Sequence, residues 1–309
     1  MVLDEQARAF IAEVEAAGVP PIQTMDPVVV RALQQNFVPR LSGALEQVAG
    51  VEDHAIAGPS GPLPLRIYTP ESKPRGILVY LHGGGWVIGS LDTADAACRA
   101  LARRTPCIVV SVGYRLAPEH KFPAAIDDAV RATSWVAANA ERLGVDPTRV
   151  AIGGDSAGGA LAAAVTLDAR EREGPPLRFA MLVYPAADFK LDRPSYRTYG
   201  SGCLITTEEV RWYWESYLRS PQDATSEFAC PLRAASLRGL PPALVLLAEC
   251  DPIRDEAEAY ANRLRADGVP VQTMLYEGMI HGFFTMPGVM DRARVAYDHA
   301  AEALRRAFL

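Results

Sequence analysis

The sequence predicts an α/β protein with a mostly parallel central sheet, helices on both faces and a helical cap. Three observations carry this. From residue 76 onward, apolar runs and helix-like stretches alternate, as βα units in a parallel sheet do. Several runs (77–81, 179–184, 243–248) are apolar throughout rather than alternating, as strands covered on both faces are. One segment, residues 188–235, breaks the alternation with no strand pattern and an aromatic-rich helix signal, which reads as an insertion over the strand ends.

In chain order, residues 2–17 carry Leu3, Ala7, Phe10, Ile11 and Val14 at helical spacing. Asp26-Pro27 starts a second helix, with a capping side chain followed by proline at the first helical position. Val29, Val30, Leu33 and Phe37 form its expected buried face. Residues 1–50 are thus read as N-terminal helices contributing to the cap. Residues 63–68 alternate at period two, as a half-buried antiparallel edge strand does. Strands over 77–81 and 107–112 and helices over 93–104 and 124–142 follow, with Ala125, Ala129, Ala132 and Val136 on one stripe of the latter. These belong to the first part of the main α/β domain, residues 51–187.

In the insertion, residues 188–235, Thr206-Thr207-Glu208-Glu209 is a capping box. After it, Val210, Tyr213, Trp214, Tyr217 and Leu218 recur at helical spacing. The second part of the domain, residues 236–309, holds strands over 243–248 and 271–276 and helices over 255–266 and 290–308.

Bulk composition narrows the function classes. The 309 residues suffice for one large α/β domain, with or without an accessory layer. A net charge of −6 with no basic cluster argues against nucleic acid and anionic membranes as partners. The five cysteines are dispersed and form no C-x-x-C, so neither a disulfide framework nor a zinc site is indicated. The first residues lack a basic region and an apolar signal core, and no apolar stretch is long enough to span a bilayer. A cytoplasmic protein is expected.

The chemistry centres on Gly154-Asp155-Ser156-Ala157-Gly158, a G-x-S-x-G pattern between a β-like run (150–152) and a helix-like one (160–167). Small residues must flank a serine held in a strained strand-to-helix turn. The helix that follows turns its positive end toward the serine, where negative charge develops in acyl transfer. The alternative is a glycine-rich turn without chemistry, which the context disfavours.

Sites in open parallel sheets lie beyond the carboxyl ends of the strands. After 77–81 comes His82-Gly83-Gly84-Gly85-Trp86, whose uncovered N–H groups suit an oxyanion hole. After 243–248 comes Asp251, a candidate for orienting a histidine and equally a candidate helix cap, with Glu249 and Asp255 as competing acids. After 271–276 comes His281, on a loop beside Gly282. Ser156, acid, His281 is the chain order of an α/β-hydrolase triad, and of the histidines after the serine only His281 follows a strand.

These residues, together with Tyr114-Arg115-Leu116-Ala117-Pro118-Glu119, Asp251-Pro252-Ile253-Arg254-Asp255-Glu256 and His281-Gly282-Phe283, resemble the hormone-sensitive-lipase family of α/β-hydrolases. The match is to its bacterial carboxylesterases, in the branch with Asp before the serine, and it spans roughly residues 50–309. The resemblance implies hydrolysis of short- to medium-chain acyl esters through an acyl-enzyme, with a cap built from the N-terminus and the insertion. It implies Ser156 as nucleophile, His281 as acid–base and Asp251 as its orienting acid. Gly83, Gly84 and Ala157 would supply the oxyanion N–H groups, although which two of Gly83, Gly84 and Gly85 do so stays open. Trp86, Tyr213 and Trp214 are candidates for lining the acyl or alcohol pocket, with simple packing as the alternative. No metal and no cofactor is expected; the expected partner is a small ester, and a homodimer is compatible with the chain. An amidase or peptidase with the same triad is the alternative within enzymes. A hormone receptor with a lost histidine is disfavoured by His281.

Overall fold

A computed structural model describes residues 2–309. One eight-stranded sheet organises them, in the order β1-β2-β4-β3-β5-β6-β7-β8. The strands are β1 (Gly50–Gly58), β2 (Gly61–Thr69), β3 (Ile77–Leu81), β4 (Ile108–Val112), β5 (Val150–Asp155), β6 (Phe179–Val183), β7 (Ala243–Cys250) and β8 (Val271–Ile280). Only β1 and β2 run antiparallel to their neighbours; β3 through β8 are parallel.

β3, β4, β5 and β6 are buried at every residue. Helices cover both faces, as their uninterrupted apolar runs require. The helices that follow strands are α3 (Asp95–Arg104), α4 (Ala124–Ala138), α5 (Ala157–Glu171), α8 (Arg254–Ala266) and α9 (Arg292–Ala307). One core joins the sheet to α4, α5 and α8. A second joins its other face to α3 and α9.

The N-terminal segment forms α1 (Glu5–Ala16) and α2 (Pro27–Ser42), each capped by the aspartate before it. Asp4 accepts from Gln6 N–H at 2.9 Å and Asp26 from Val28 N–H at 2.8 Å. The insertion between β6 and β7 holds α6 (Pro194–Tyr199), α7 (Thr207–Tyr217) and short 3-10 turns. Thr206 and Glu209 bond reciprocally at the start of α7, and Val210, Tyr213, Trp214, Tyr217 and Leu218 are all buried.

Three expectations need correction. Residues 63–68 are not an edge strand: β2 lies between β1 and β4, and β1 is the edge on that side of the sheet. Of the nine β1 residues Ile56 alone is buried, so the strand offers no apolar alternation to read. The face expected to be buried on α2 is also wrong. Val30 is buried, but Val29 is 50% and Phe37 39% exposed. The helix docks instead through the polar side chains of Arg31, Gln34 and Gln35. The helix expected over 124–142 stops its regular turns at Ala138, where Asn139 turns its side chain back onto the Trp135 carbonyl at 2.8 Å.

Candidate active site

β5 delivers Ser156 to the rim of the sheet. Its φ of 55° and ψ of −119° lie in a region that costs a non-glycine residue strain, which the surroundings hold in place. The flanking glycines are needed for close approach: a Cβ on Gly158 would stand 1.9 Å from the Leu81 carbonyl oxygen, and one on Gly154 2.3 Å from the same atom. That approach seats the N-terminus of α5 directly behind the serine.

Ser156 Oγ lies 2.8 Å from His281 Nε2, and His281 Nδ1 lies 2.7 Å from Asp251 Oδ2. A carboxylate at Nδ1 is an acceptor, so Nδ1 carries the proton and Nε2 faces the serine with its lone pair. Asp251 is fully buried, and its second oxygen accepts from Ile253 N–H at 2.9 Å. It thus orders the turn into α8 and contacts the histidine at once. The competing acids point elsewhere. Asp255 bonds Ser195 N–H and Arg254, and Glu249 accepts from Gly278 N–H. His299 is bonded to Tyr276 instead.

The glycine loop after β3 is fixed one peptide at a time. The carbonyl of His82 accepts from the Tyr114 hydroxyl at 2.7 Å, and the N–H of Gly83, in the same peptide, donates to Asp155 Oδ1 at 3.0 Å. The carbonyl of Gly83 lies 2.8 Å from His82 Nδ1, which must therefore be protonated, because a carbonyl offers no donor. The carbonyl of Gly84 accepts from Val87 N–H at 3.0 Å and Ile88 N–H at 2.9 Å. In a trans peptide the C=O and N–H point in opposite directions. Anchoring the Gly83 and Gly84 carbonyls therefore turns the N–H groups of Gly84 and Gly85 the other way. Among the described residues neither N–H has an acceptor, and both glycines line the cleft that holds Ser156. Ala157 N–H, at the first position of α5, is one of the donors a helix leaves unpaired.

Asp155, the residue before the serine, is buried and also accepts from the Tyr80 hydroxyl at 2.7 Å. Burial raises its carboxyl above the usual range despite these two bonds. Burial also pushes the His82 imidazole down to about 4, so the ring is neutral at pH 7 while it stacks on Tyr114 with centroids 4.2 Å apart.

The cleft has a volume of about 350 Å³. Ser156 and His281 open into it, and so do Gly83, Gly84 and Gly85. Trp86, Tyr213 and Trp214 line it and also pack: Trp86 and Trp214 lie 4.5 Å apart by ring centroid, and Trp86 stacks on Tyr217 at 4.2 Å. Val14, Ile22 and Gln34 reach it from the N-terminal segment, and Leu204, Ile205 and Glu209 from the insertion. Among the described residues no lysine or arginine lines it, no group of His, Cys, Asp and Glu is arranged to hold a metal ion, and no helix is long and apolar enough to cross a membrane.

Sequence reasoning passed over Tyr80 and Glu209 as contributors to the site and gave Asp155 no task. Asp155 had a signal, standing inside the motif at the last residue of a buried strand. Tyr80 had a weaker one, as a polar tip in an otherwise apolar run.

Comparison with known proteins places this geometry in context. A family model described as the alpha/beta hydrolase fold matches residues 78–285. An ethyl acetate hydrolase of Pseudomonas putida is 35% identical over 316 aligned positions that cover 99% of each chain. Esterase LipI of Mycobacterium tuberculosis is 41% identical, covering 82% of this chain and 81% of its own. An ester hydrolase from the metagenome of Lake Arreo, solved in complex with a bipyridine phosphonate derivative, superposes with a TM-score of 0.95 at 38% identity, covering 99% of both chains.

Proposed function

Because the chain belongs to the alpha/beta hydrolase fold family and is a carboxylesterase, we propose that it hydrolyses uncharged esters of short- to medium-chain acids, with Ser156, His281 and Asp251 as its catalytic triad. The observation that carries this reading is the continuous pair of contacts from Ser156 Oγ to His281 at 2.8 Å and from His281 to Asp251 at 2.7 Å. The five motifs support its assignment to the hormone-sensitive-lipase-like branch with Asp before the serine.

In this mechanism His281 Nε2 takes the Ser156 proton as Oγ attacks the ester carbonyl. The carbonyl oxygen becomes an oxyanion held by backbone N–H groups. Gly84, Gly85 and Ala157 are the donors we assign. Gly83 N–H is spent on Asp155, so the earlier expectation of Gly83 is replaced by Gly85. The alcohol departs with the proton from His281, leaving an acyl-Ser156. Water then attacks the acyl carbon, giving its proton to His281, and the acid leaves as Ser156 is reprotonated.

The substrate class follows from the lining. Aliphatic and aromatic side chains dominate the cleft, and Glu209 is its charged residue on the cap side, with no lysine or arginine among the described residues that line it. A neutral ester suits such a cleft, and an anionic one is repelled. We assign α1, α2 and residues 188–235 to a cap over the catalytic body of residues 51–187 and 236–309, since side chains from both segments line the cleft. A cytoplasmic location is in keeping with five buried cysteines that need no oxidising compartment.

The test is a panel of p-nitrophenyl esters from acetate to palmitate, run with wild type and Ser156→Ala, beside a matched anilide. The expected result is a maximum at short to medium chains, weak anilide cleavage and an inert Ser156→Ala protein. Hydrolysis that survives Ser156→Ala removes the nucleophile, and a preference for the anilide replaces the esterase reading with an amidase.

A further inference from the structure

We propose that Arg31, on the N-terminal helix α2, is a positioning residue for the oxyanion hole, acting through a line of peptide groups that ends at Gly85 N–H. This role presupposes the reading above, in which Ser156 is the nucleophile and Gly84 and Gly85 are donors.

The line can be followed atom by atom. Arg31 Nε–H donates to the Val87 carbonyl at 2.7 Å. The N–H of that same peptide belongs to Ile88 and donates to the Gly84 carbonyl at 2.9 Å. The N–H of the Gly84 carbonyl's own peptide belongs to Gly85, has no acceptor among the described residues and borders the cleft. Three N–H groups, starting with a cationic one, are thus aligned head to tail. Each bond polarises the next in a low-dielectric interior, so the last N–H is both aimed and strengthened as a donor.

Arg31 is itself held firmly. Its Nη2 donates to the Ala117 carbonyl at 2.7 Å, and both Nη atoms reach the Glu119 carboxylate at 2.7 Å. That contact holds the Glu119 carboxyl down to about 2. The half-exposed ion pair adds little stability on its own. What it does is set the plane of a guanidinium whose remaining N–H groups serve two carbonyls, a task that suits a planar fork and not a lysine ammonium.

The neighbouring residues on the same helix face act on the same segment. Gln34 Oε1 accepts from Gly89 N–H at 2.9 Å, and Gln35 Nε2 donates to Ser90 Oγ at 2.8 Å. Positions 31, 34 and 35 are i, i+3 and i+4 on one face of α2. Residues 87–90 thus hang from α2 and back directly onto the glycine loop. A Cβ on Gly89 would stand 2.3 Å from the Gly83 carbonyl oxygen, so the two segments have no room to move independently.

A plain tether for the N-terminal helices is the other role Arg31 could play, and the two differ in what they change. Losing a tether opens the cleft and weakens binding of substrate and transition state alike. Losing the aim of one oxyanion donor lowers turnover and leaves ground-state binding intact.

The experiment measures kcat and KM on p-nitrophenyl butyrate for wild type, Arg31→Lys and Arg31→Ala in the full chain, with inhibition constants for two ligands. One is an alkyl trifluoromethyl ketone, which adds Ser156 reversibly and forms an oxyanion; the other is an alkanol of the same length, which forms none. We expect kcat to fall about tenfold to 10²-fold, a fraction of the loss from removing a whole donor. KM and the alkanol constant stay within about threefold, and the ketone constant rises by the same factor as kcat falls. Millimolar methylguanidinium recovers part of the Arg31→Ala activity. The role is overturned by turnover within about twofold of wild type in both variants, or by KM and both inhibition constants moving together. Arg31→Lys carries the test should Arg31→Ala fail to fold. Ser156→Ala, run alongside, separates the two levels. Residual hydrolysis there removes the underlying reading, whereas an inert Ser156→Ala with unaffected Arg31 variants removes only the role of Arg31.

Discussion

Asp251 is hydrogen-bonded at both of its oxygens, to His281 Nδ1 at 2.7 Å through Oδ2 and to Ile253 N–H at 2.9 Å through Oδ1. The second bond decides what an amide would do in its place. In Asp251→Asn the Ile253 N–H demands the carbonyl oxygen, so the NH₂ group is left facing His281 Nδ1. The imidazole then carries its proton on Nε2 and presents a donor to Ser156, the wrong tautomer for a base. Turnover of a p-nitrophenyl ester should fall about 10⁴-fold with KM little changed. Asp255→Asn touches Ser195 and Arg254 and leaves the histidine alone, so its kcat should stay within a few-fold of wild type. The opposite ranking of the two variants would move the acid to position 255.

Asp155 offers a second contrast. Its Oδ1 receives both Gly83 N–H and the Tyr80 hydroxyl, so what the loop uses at this position is an acceptor oxygen. Asp155→Asn retains an oxygen for both donors and should keep turnover within about tenfold. Asp155→Ala frees Gly83 N–H and leaves the first peptide of the loop unanchored. That loss should approach the effect of removing one oxyanion donor, about 10²-fold in kcat. Equal activities in the two variants would show that the anchor is idle.

How far the sequence reveals this arrangement depends on the range of the signals. The buried strands were legible because a parallel strand covered on both faces has no polar position to confuse its pattern, as in Ile77–Leu81. Ser156 and Asp251 were legible because each follows such a strand, and His281 because it is the histidine after the serine that stands on a loop following a strand. β1 was not, since an edge strand with one solvated face reads as an ordinary polar segment. Nor was the docking of α2: its contacts run through Arg31, Gln34 and Gln35, side chains that a hydrophobic periodicity counts as solvent-facing. The choice among Gly83, Gly84 and Gly85 was closed to sequence for a related reason. It turns on which carbonyl or N–H a distant Tyr114, Asp155 or Ile88 reaches, and three identical residues carry no mark of that.

Glu209 gives a prediction about selectivity. Its Oε2 accepts from Thr206 N–H at 2.7 Å in the capping box, while the side chain also lines the cleft. Glutamine serves at that helix position as well as glutamate does. Glu209→Gln therefore removes the charge and keeps the cap of α7. For a neutral butyrate ester kcat/KM should change by less than about twofold. For the hemisuccinate ester, whose acyl chain ends in a carboxylate, it should rise about tenfold at low salt, and the gain should shrink as ionic strength increases. An unchanged ratio between the two esters would mean the carboxylate is too well screened to select substrates.

His82 links the loop to acid stability. The ring is buried against Tyr114 and its pKa is pushed down to about 4, against 6.5 in an exposed histidine. The unfolded chain therefore binds this proton near pH 6.5, and the folded protein only near 4. Between those values the unfolded state holds more protons, so stability falls as pH falls through that window and levels off below it. For a single fully buried group the loss amounts to about 3 kcal/mol. His82→Asn isolates it. Asparagine's side-chain NH₂ can stand where Nδ1–H stood and still donate to the Gly83 carbonyl, yet it does not titrate. The variant loses the stacking on Tyr114 and should be less stable than wild type at pH 7.5. Its stability, measured by urea unfolding at intervals from pH 7.5 to 4, should decline less steeply with acid, so that the gap to wild type narrows toward pH 4. A gap that stays constant across the window would show that the imidazole is charged in the folded protein or that another group sets the acid limit.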